Sequence, residues 1–141
     1  MDKNFKIYYG ASIAGAQGDN FFNRQIIASL RLYGDVLSEH LFDEDYRKNE
    51  KLSPREIHDR DCLWIGESNV LVMNVSAPSL GVGYEISKGR HLLKPTLCLW
   101  NPQNGKRLSA MIEGSPGIEV CTHKDLEGAI KGVGRFMKQL S

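Results

Sequence analysis

An α/β fold with a mainly parallel sheet is what the sequence predicts, and three observations carry the prediction. Short apolar runs rich in β-branched and aromatic residues recur along the chain, and segments of helical period separate them. The run over residues 69–75, Asn-Val-Leu-Val-Met-Asn-Val, is almost continuously apolar yet too short for a helix, as befits a strand covered on both faces. Composition allows one such domain. The 141 residues are 41% hydrophobic, 25% charged and 9% aromatic. That excludes disorder, a collagen-like repeat and a two-domain enzyme, and with no repeat or linker in view the domain is the whole chain, 1–141.

Phe5-Lys6-Ile7-Tyr8-Tyr9-Gly10 reads as the first strand. Phe21, Phe22, Ile26, Ile27, Leu30 and Leu32 then recur at three-to-four spacing, an amphipathic helix with a glycine stop near Tyr33-Gly34. Asp35-Val36-Leu37 is a short second strand. Residues 39–51 are polar and dense in charge, a loop or lid without periodicity to tie it to a core. Ser53-Pro54-Arg55-Glu56 combines a capping serine, a proline at the first helical position and a glutamate three residues after the cap, so a helix starts there and runs towards Ser68.

The central strand, 69–75, leads into a loop over 76–83, and a helix is expected over 84–93. A fourth strand over 95–100, a short helix over 107–112, a fifth strand over 117–121 and a closing amphipathic helix over 125–140 complete the chain. Five strands with helical crossovers predict a flavodoxin-like doubly wound parallel sheet in order 2-1-3-4-5, with helices on both faces and a ligand at the carboxyl ends of strands one and three.

Eighteen Lys plus Arg against seventeen Asp plus Glu leave a net charge of +1, without the basic excess of a nucleic-acid binder. The amino-terminal segment lacks the apolar core of a signal peptide, and no eighteen apolar residues run together, so neither a membrane nor secretion is expected; the chain reads as cytoplasmic or nuclear. Cys62, Cys98 and Cys121 form no C-x-x-C or zinc-spaced cluster, and Cys98, inside Thr96-Leu97-Cys98-Leu99-Trp100, reads as a buried small hydrophobe. No metal and no cofactor is expected.

Two loops stand at the expected ligand edge. Gly10-Ala11-Ser12-Ile13-Ala14-Gly15 is small and hydroxyl-bearing, which lets a ligand approach the backbone, but it is no dinucleotide or P-loop fingerprint, and an ordinary tight turn accounts for it equally well. Pro78-Ser79-Leu80-Gly81-Val82-Gly83-Tyr84-Glu85 offers amides, a hydroxyl and a helix start, suited to a phosphate. Glu85 taken alone could simply complement the helix dipole. Asp61 could join it as the second carboxylate of a glycosidic cleavage, or pair with Arg60, Arg55 or Lys88 on a solvated face, which spacing alone favours. His40 could meet a ligand or be a filler, and of Tyr8 and Tyr9 one should face each side of the sheet.

These pieces together resemble a known family. Lys6 to Ile13, Ser38-Glu39-His40, His58-Asp59-Arg60-Asp61-Cys62-Leu63-Trp64, Pro78 to Glu85 and Leu108-Ser109-Ala110-Met111-Ile112 are similar to the 2'-deoxynucleoside 5'-monophosphate N-hydrolases of the nucleoside 2-deoxyribosyltransferase superfamily, over residues 5–125 in the same order. The resemblance implies cleavage of a deoxynucleotide's N-glycosidic bond, with Glu85 as nucleophile, Tyr8 orienting it and Asp61 protonating the leaving base. It also implies that Gly10, Ser12, Ile13, His40, Ser79, Gly81, Ser109 and Met111 bind substrate. Ser109 would come from the neighbouring subunit of a homodimer.

One departure is Ala14, where many family members carry an arginine that meets the phosphate; a ribonucleotide N-glycosidase therefore stays open beside the deoxynucleotide hydrolase. A nucleoside deoxyribosyltransferase would use the same glutamate but little need phosphate-matching serines. A nucleotide-sensing module without turnover would need no pair of carboxylates.

Overall fold

Strands β1 (Phe5–Gly10), β2 (Gly34–Val36), β3 (Val70–Asn74), β4 (Thr96–Trp100) and β5 (Ile118–Thr122) pair in parallel throughout, in the order β2-β1-β3-β4-β5. This computed structural model describes residues 4–12, 20–102 and 105–141. The order reverses between β1 and β3, so their carboxyl ends open a crevice at the switch point. Gly10 lies opposite Met73 there.

Side chains alternate across the sheet and split the core in two. On one face Ile7, Tyr9, Val72 and Leu97 pack against α1 (Asn20–Leu30) and α6 (Leu126–Leu140) through Ile26, Leu30, Val133 and Met137. On the other, Tyr8, Leu71, Met73 and Cys98 pack against α3 (Pro54–Glu67) and α4 (Leu80–His91) through Ile65, Val82 and Ile86. Tyr8 and Tyr9 thus face opposite layers, as strand parity predicts, and β3 is buried from Val70 to Met73. Cys98 is an apolar filler, its thiol pushed up to about 12 by burial. The capping box of α3 forms as expected: Glu56 N–H donates to Ser53 Oγ over 3.2 Å and Ser53 N–H donates to Glu56 Oε1 over 2.9 Å.

Three boundaries differ from expectation. Helix α4 starts at Leu80, four residues before the expected Tyr84, because Ser79 caps it: its backbone is extended and its hydroxyl accepts the Val82 N–H over 3.2 Å. The cap outweighs the poor helix propensity of Gly81 and Gly83. The charged stretch after β2 is not a plain loop, since it contains a 3-10 turn, Glu39–Phe42, and α2 (Tyr46–Asn49). Leu41 and Phe42 are buried, and Phe42 meets the Tyr9 ring edge-on at 5.2 Å, which pins the segment to the core. The short helix expected over 107–112 is α5 (Ala110–Glu113), capped by Ser109, whose hydroxyl accepts the Met111 N–H. Among the described residues no helix is long and apolar enough to cross a membrane.

Candidate active site

At the crevice β1 contributes a phenol and α4 a carboxylate. Tyr8 Oη donates to Glu85 Oε2 over 2.6 Å. The pairing follows from parity on β1, which aims Tyr8 at the α3/α4 layer, and from the early start of α4, which puts Glu85 one turn inside the helix. The dipole explanation for Glu85 therefore falls away: no acidic residue lies in the first turn. Burial pushes the Glu85 carboxyl up to about 7; the Tyr8 bond pulls it down and the Asp61 charge pushes it up. Burial, then the charges of Glu85 and Asp61, holds the Tyr8 phenol far above its ordinary value, so it is a fixed donor.

Gly10 makes room for this pair. A Cβ there would collide with the Met73 methyl and stand 3.0 Å from Glu85 Oε1. Glycine is what lets the carboxylate lie against the end of β1.

Asp61 reaches the cluster from α3. Of its three candidate partners Arg60 is the one it meets, Nε to Oδ1 at 3.0 Å, while Arg55 pairs with Asp59. The face is not solvated, because the Asp61 side chain keeps only 16% of its exposure. Burial raises its carboxyl, Arg60 and His40 oppose that, and Glu50 adds to it. His40, on the 3-10 turn, packs edge-on against Trp64 at 5.1 Å. Two carboxyls with raised values and a donor phenol thus meet at one strand switch point, a set equipped to attack a carbon and protonate a leaving group.

The remaining expected residues divide around α4. Ser12 follows β1, and Ile13, like Ala14, lies outside the described residues. Ser79 and Gly81 stand at the start of α4, where the amides are those of a helix's first turn rather than of a loop. Ser79, Ser109 and Met111 line a groove of about 710 Å³ on the β4/β5 side of α4, which none of Tyr8, Asp61 and Glu85 lines. Ser109 thus stands apart from the carboxylates of its own chain. Sequence reasoning missed the polar supports: Asn23 accepts from Tyr9 Oη over 2.6 Å and from Asn74 Nδ2 over 3.2 Å, and Ser38 Oγ accepts the Tyr9 N–H and donates to its carbonyl. Only Asn74, a polar residue closing an apolar strand, left a local signal; Asn23 lies on α1 and Ser38 follows β2.

Comparison with known proteins agrees with this architecture. No family model matches the chain. A 5-hydroxymethyl-dUMP N-hydrolase of Esox lucius is 40% identical over 141 residues, covering 96% of this chain and 97% of that protein. One of Danio rerio is 42% identical over 126 residues, covering 86% and 88%. A protein of Trichoplax adhaerens named for 2'-deoxynucleoside 5'-phosphate N-hydrolase activity is 44% identical over 109 residues, covering 77% and 75%. In structure, the CMP N-glycosidase BcmB of Clostridium botulinum superposes with a TM-score of 0.71 at 14% identity, covering 93% of this chain and 98% of that one, which shows a shared fold.

By its relatives the protein is an enzyme of the N-glycosidase class. More narrowly, the chain belongs to the 2'-deoxynucleoside 5'-phosphate N-hydrolase family.

Proposed function

We propose that this enzyme hydrolyses 2'-deoxynucleoside 5'-monophosphates to a free base and 2-deoxyribose 5-phosphate through a covalent glycosyl–Glu85 intermediate. The observation that carries the reading is the 2.6 Å bond from Tyr8 to Glu85, with the charge of Asp61 facing both. As the bond from C1' to the base breaks, the sugar gains oxocarbenium character, and the nearby carboxylate both stabilises and captures it.

Glu85 attacks C1' with one carboxylate oxygen while Tyr8 holds the other. The electron pair of the glycosidic bond leaves with the base, which takes the Asp61 proton. Asp61, now a carboxylate, removes a proton from water, and the hydroxide attacks C1' and frees Glu85. His40, which packs against Trp64, would line the base, and Gly10 and Ser12 would lie beside the sugar.

Ser79 and Gly81 would hold the phosphate at the start of α4. Ser109 and Met111 would complete the site of a second copy of the chain, as the family resemblance implies; they line, with Ser79, a groove that Tyr8, Asp61 and Glu85 of their own chain do not. Exposed apolar residues on that side, Leu80 at 96% and Met111 at 82%, support a homodimer.

Free-base release from dNMPs, the 5-hydroxymethyl-dUMP of the named relatives included, tests the reading against NMPs and unphosphorylated deoxynucleosides, each with and without an acceptor base. Release from dNMPs alone is the expected result. NMP turnover would move the enzyme to the ribonucleotide branch, transfer to the acceptor would make it a transferase, and binding without turnover would sink the catalytic reading.

A further inference from the structure

Arg60 is bonded as no other cation among the described ion pairs. Its Nε donates to Asp61 Oδ1 over 3.0 Å, Nη1 to Glu50 Oε2 over 3.1 Å and Nη2 to the Tyr46 hydroxyl over 3.2 Å, while its Cζ stands 4.9 Å over the Trp64 ring. All three charged side chains are largely covered: Arg60 keeps 18% of its exposure and Glu50 and Asp61 16% each, whereas both members of every other ion pair keep 40% or more. Solvent screening that makes surface pairs weak is reduced here.

Consecutive residues on a helix point about 100° apart and do not face one another. For Arg60 to reach Asp61 its side chain must fold back along α3, and a free arginine would lose that posture to its many rotamers. Glu50, Tyr46 and Trp64 hold it. Tyr46 belongs to α2 and Glu50 caps it, so the guanidinium joins that turn to the carboxyl on α3.

We infer that Arg60 is a positioning residue for Asp61, and that the packing of the 46–50 turn on Arg60 sets where the Asp61 carboxyl stands. The inference rests on the proposed acid–base role of Asp61. Arg60 keeps the carboxylate in place after its proton has gone to the base, ready to take the next one from water. The other groups facing Asp61 are Tyr8 from β1, Glu85 from α4, His40 from the 3-10 turn, Glu50 from the end of α2 and Cys62 from its own helix.

The test is a carboxyl carbon NMR titration of the full-length enzyme, with the Asp61 signal identified by its loss in Asp61→Asn, beside pH profiles of base release. In Arg60→Gln the Asp61 midpoint should rise by about one pH unit or more, since an adjacent cation is gone, and kcat should fall about tenfold or more. Arg60→Lys should return the midpoint towards wild type but leave kcat depressed, because an ammonium cannot span three partners. Tyr46→Phe changes no charge and leaves the fold's core alone; a several-fold loss in kcat with KM little changed is expected.

An Asp61 midpoint unmoved in Arg60→Gln, or a Tyr46→Phe enzyme equal to wild type in kcat, would overturn the inference. Undiminished base release by Asp61→Asn would instead remove the acid–base role, a failure the titration separates because it needs no turnover.

Discussion

Tyr8 and Glu85, 77 residues apart in sequence, meet through a 2.6 Å hydrogen bond in which the phenol donates to a carboxylate oxygen. The bond leaves Glu85 Oε1 free of the phenol and turned towards Gly10 at the end of β1. One oxygen is held and the other is available, which is the posture a nucleophilic carboxylate requires.

Removing the phenol should therefore cost rate and shift the pH profile together. The Tyr8 bond pulls the Glu85 carboxyl down against burial, which holds it at about 7, so in Tyr8→Phe the carboxyl rises further. On the proposed mechanism attack requires the ionised form, so activity should climb with pH through this value, and the climb should move to higher pH in the variant. A loss of about 10- to 100-fold in kcat/KM near pH 7 is expected, shrinking in alkaline buffer. An unchanged acidic limb in steady-state profiles would detach Tyr8 from Glu85.

Gly10→Ala probes the same oxygen from the strand. The new methyl collides with Met73 and crowds Glu85 Oε1. Met73 is an adaptable thioether and can shift, so the fold should survive with a loss of roughly 1–3 kcal/mol. The carboxylate has less freedom, and kcat should fall about tenfold or more with thermal unfolding only modestly affected. Paired melting and single-turnover measurements separate the two effects.

The burial that raises Glu85 also weakens the fold in a defined pH window. Its folded value, about 7, lies above the ordinary 4.5, so between these values the folded chain keeps a proton that the unfolded chain has lost. Stability from this group is full below pH 4.5, falls as pH rises and is lost above 7, a cost on the order of 3 kcal/mol. Glu85→Gln should accordingly match wild type near pH 4.5 and gain on it steadily towards pH 8 in urea unfolding. A difference that stays flat with pH would show that Glu85 is not held protonated.

Much of this architecture was legible because parallel strands buried on both faces leave unbroken apolar runs such as Val70 to Met73. Parity on β1 also gave the opposed faces of Tyr8 and Tyr9. What local patterns concealed was competition between signals: Gly81 and Gly83 read as loop, yet the Ser79 cap drew both into α4. Leu41 and Phe42 were lost among charges although they bind their segment to the core. The Arg60 cluster joins residues 10 and 14 positions apart across a turn, and no periodicity encodes that meeting. Spacing favoured Asp61 as a surface partner of arginine; the arginine is there, but burial makes the pair part of the cleft. The roles of these residues came from family resemblance, since chemistry at a sheet edge depends on which distant side chains meet.

Ser109 gives the sharpest test of a shared site. It lines the groove across α4 from the carboxylates of its own chain, so on the proposed homodimer it serves the other subunit. Glu85→Gln should be inactive and Ser109→Ala impaired when each is assayed alone. Mixed one to one and allowed to exchange subunits, half the dimers are hybrids, and in each hybrid one site has an intact Glu85 facing an intact Ser109. Fully exchanged mixtures should recover about a quarter of wild-type sites, against none for either defect confined to its own chain. The comparison is made at low substrate, where a weakened phosphate contact tells most, with Ser109→Ala alone as the baseline. Recovery above that baseline requires a site built from two chains, whereas simple averaging of the two variants would return Ser109 to a capping role within its own α5.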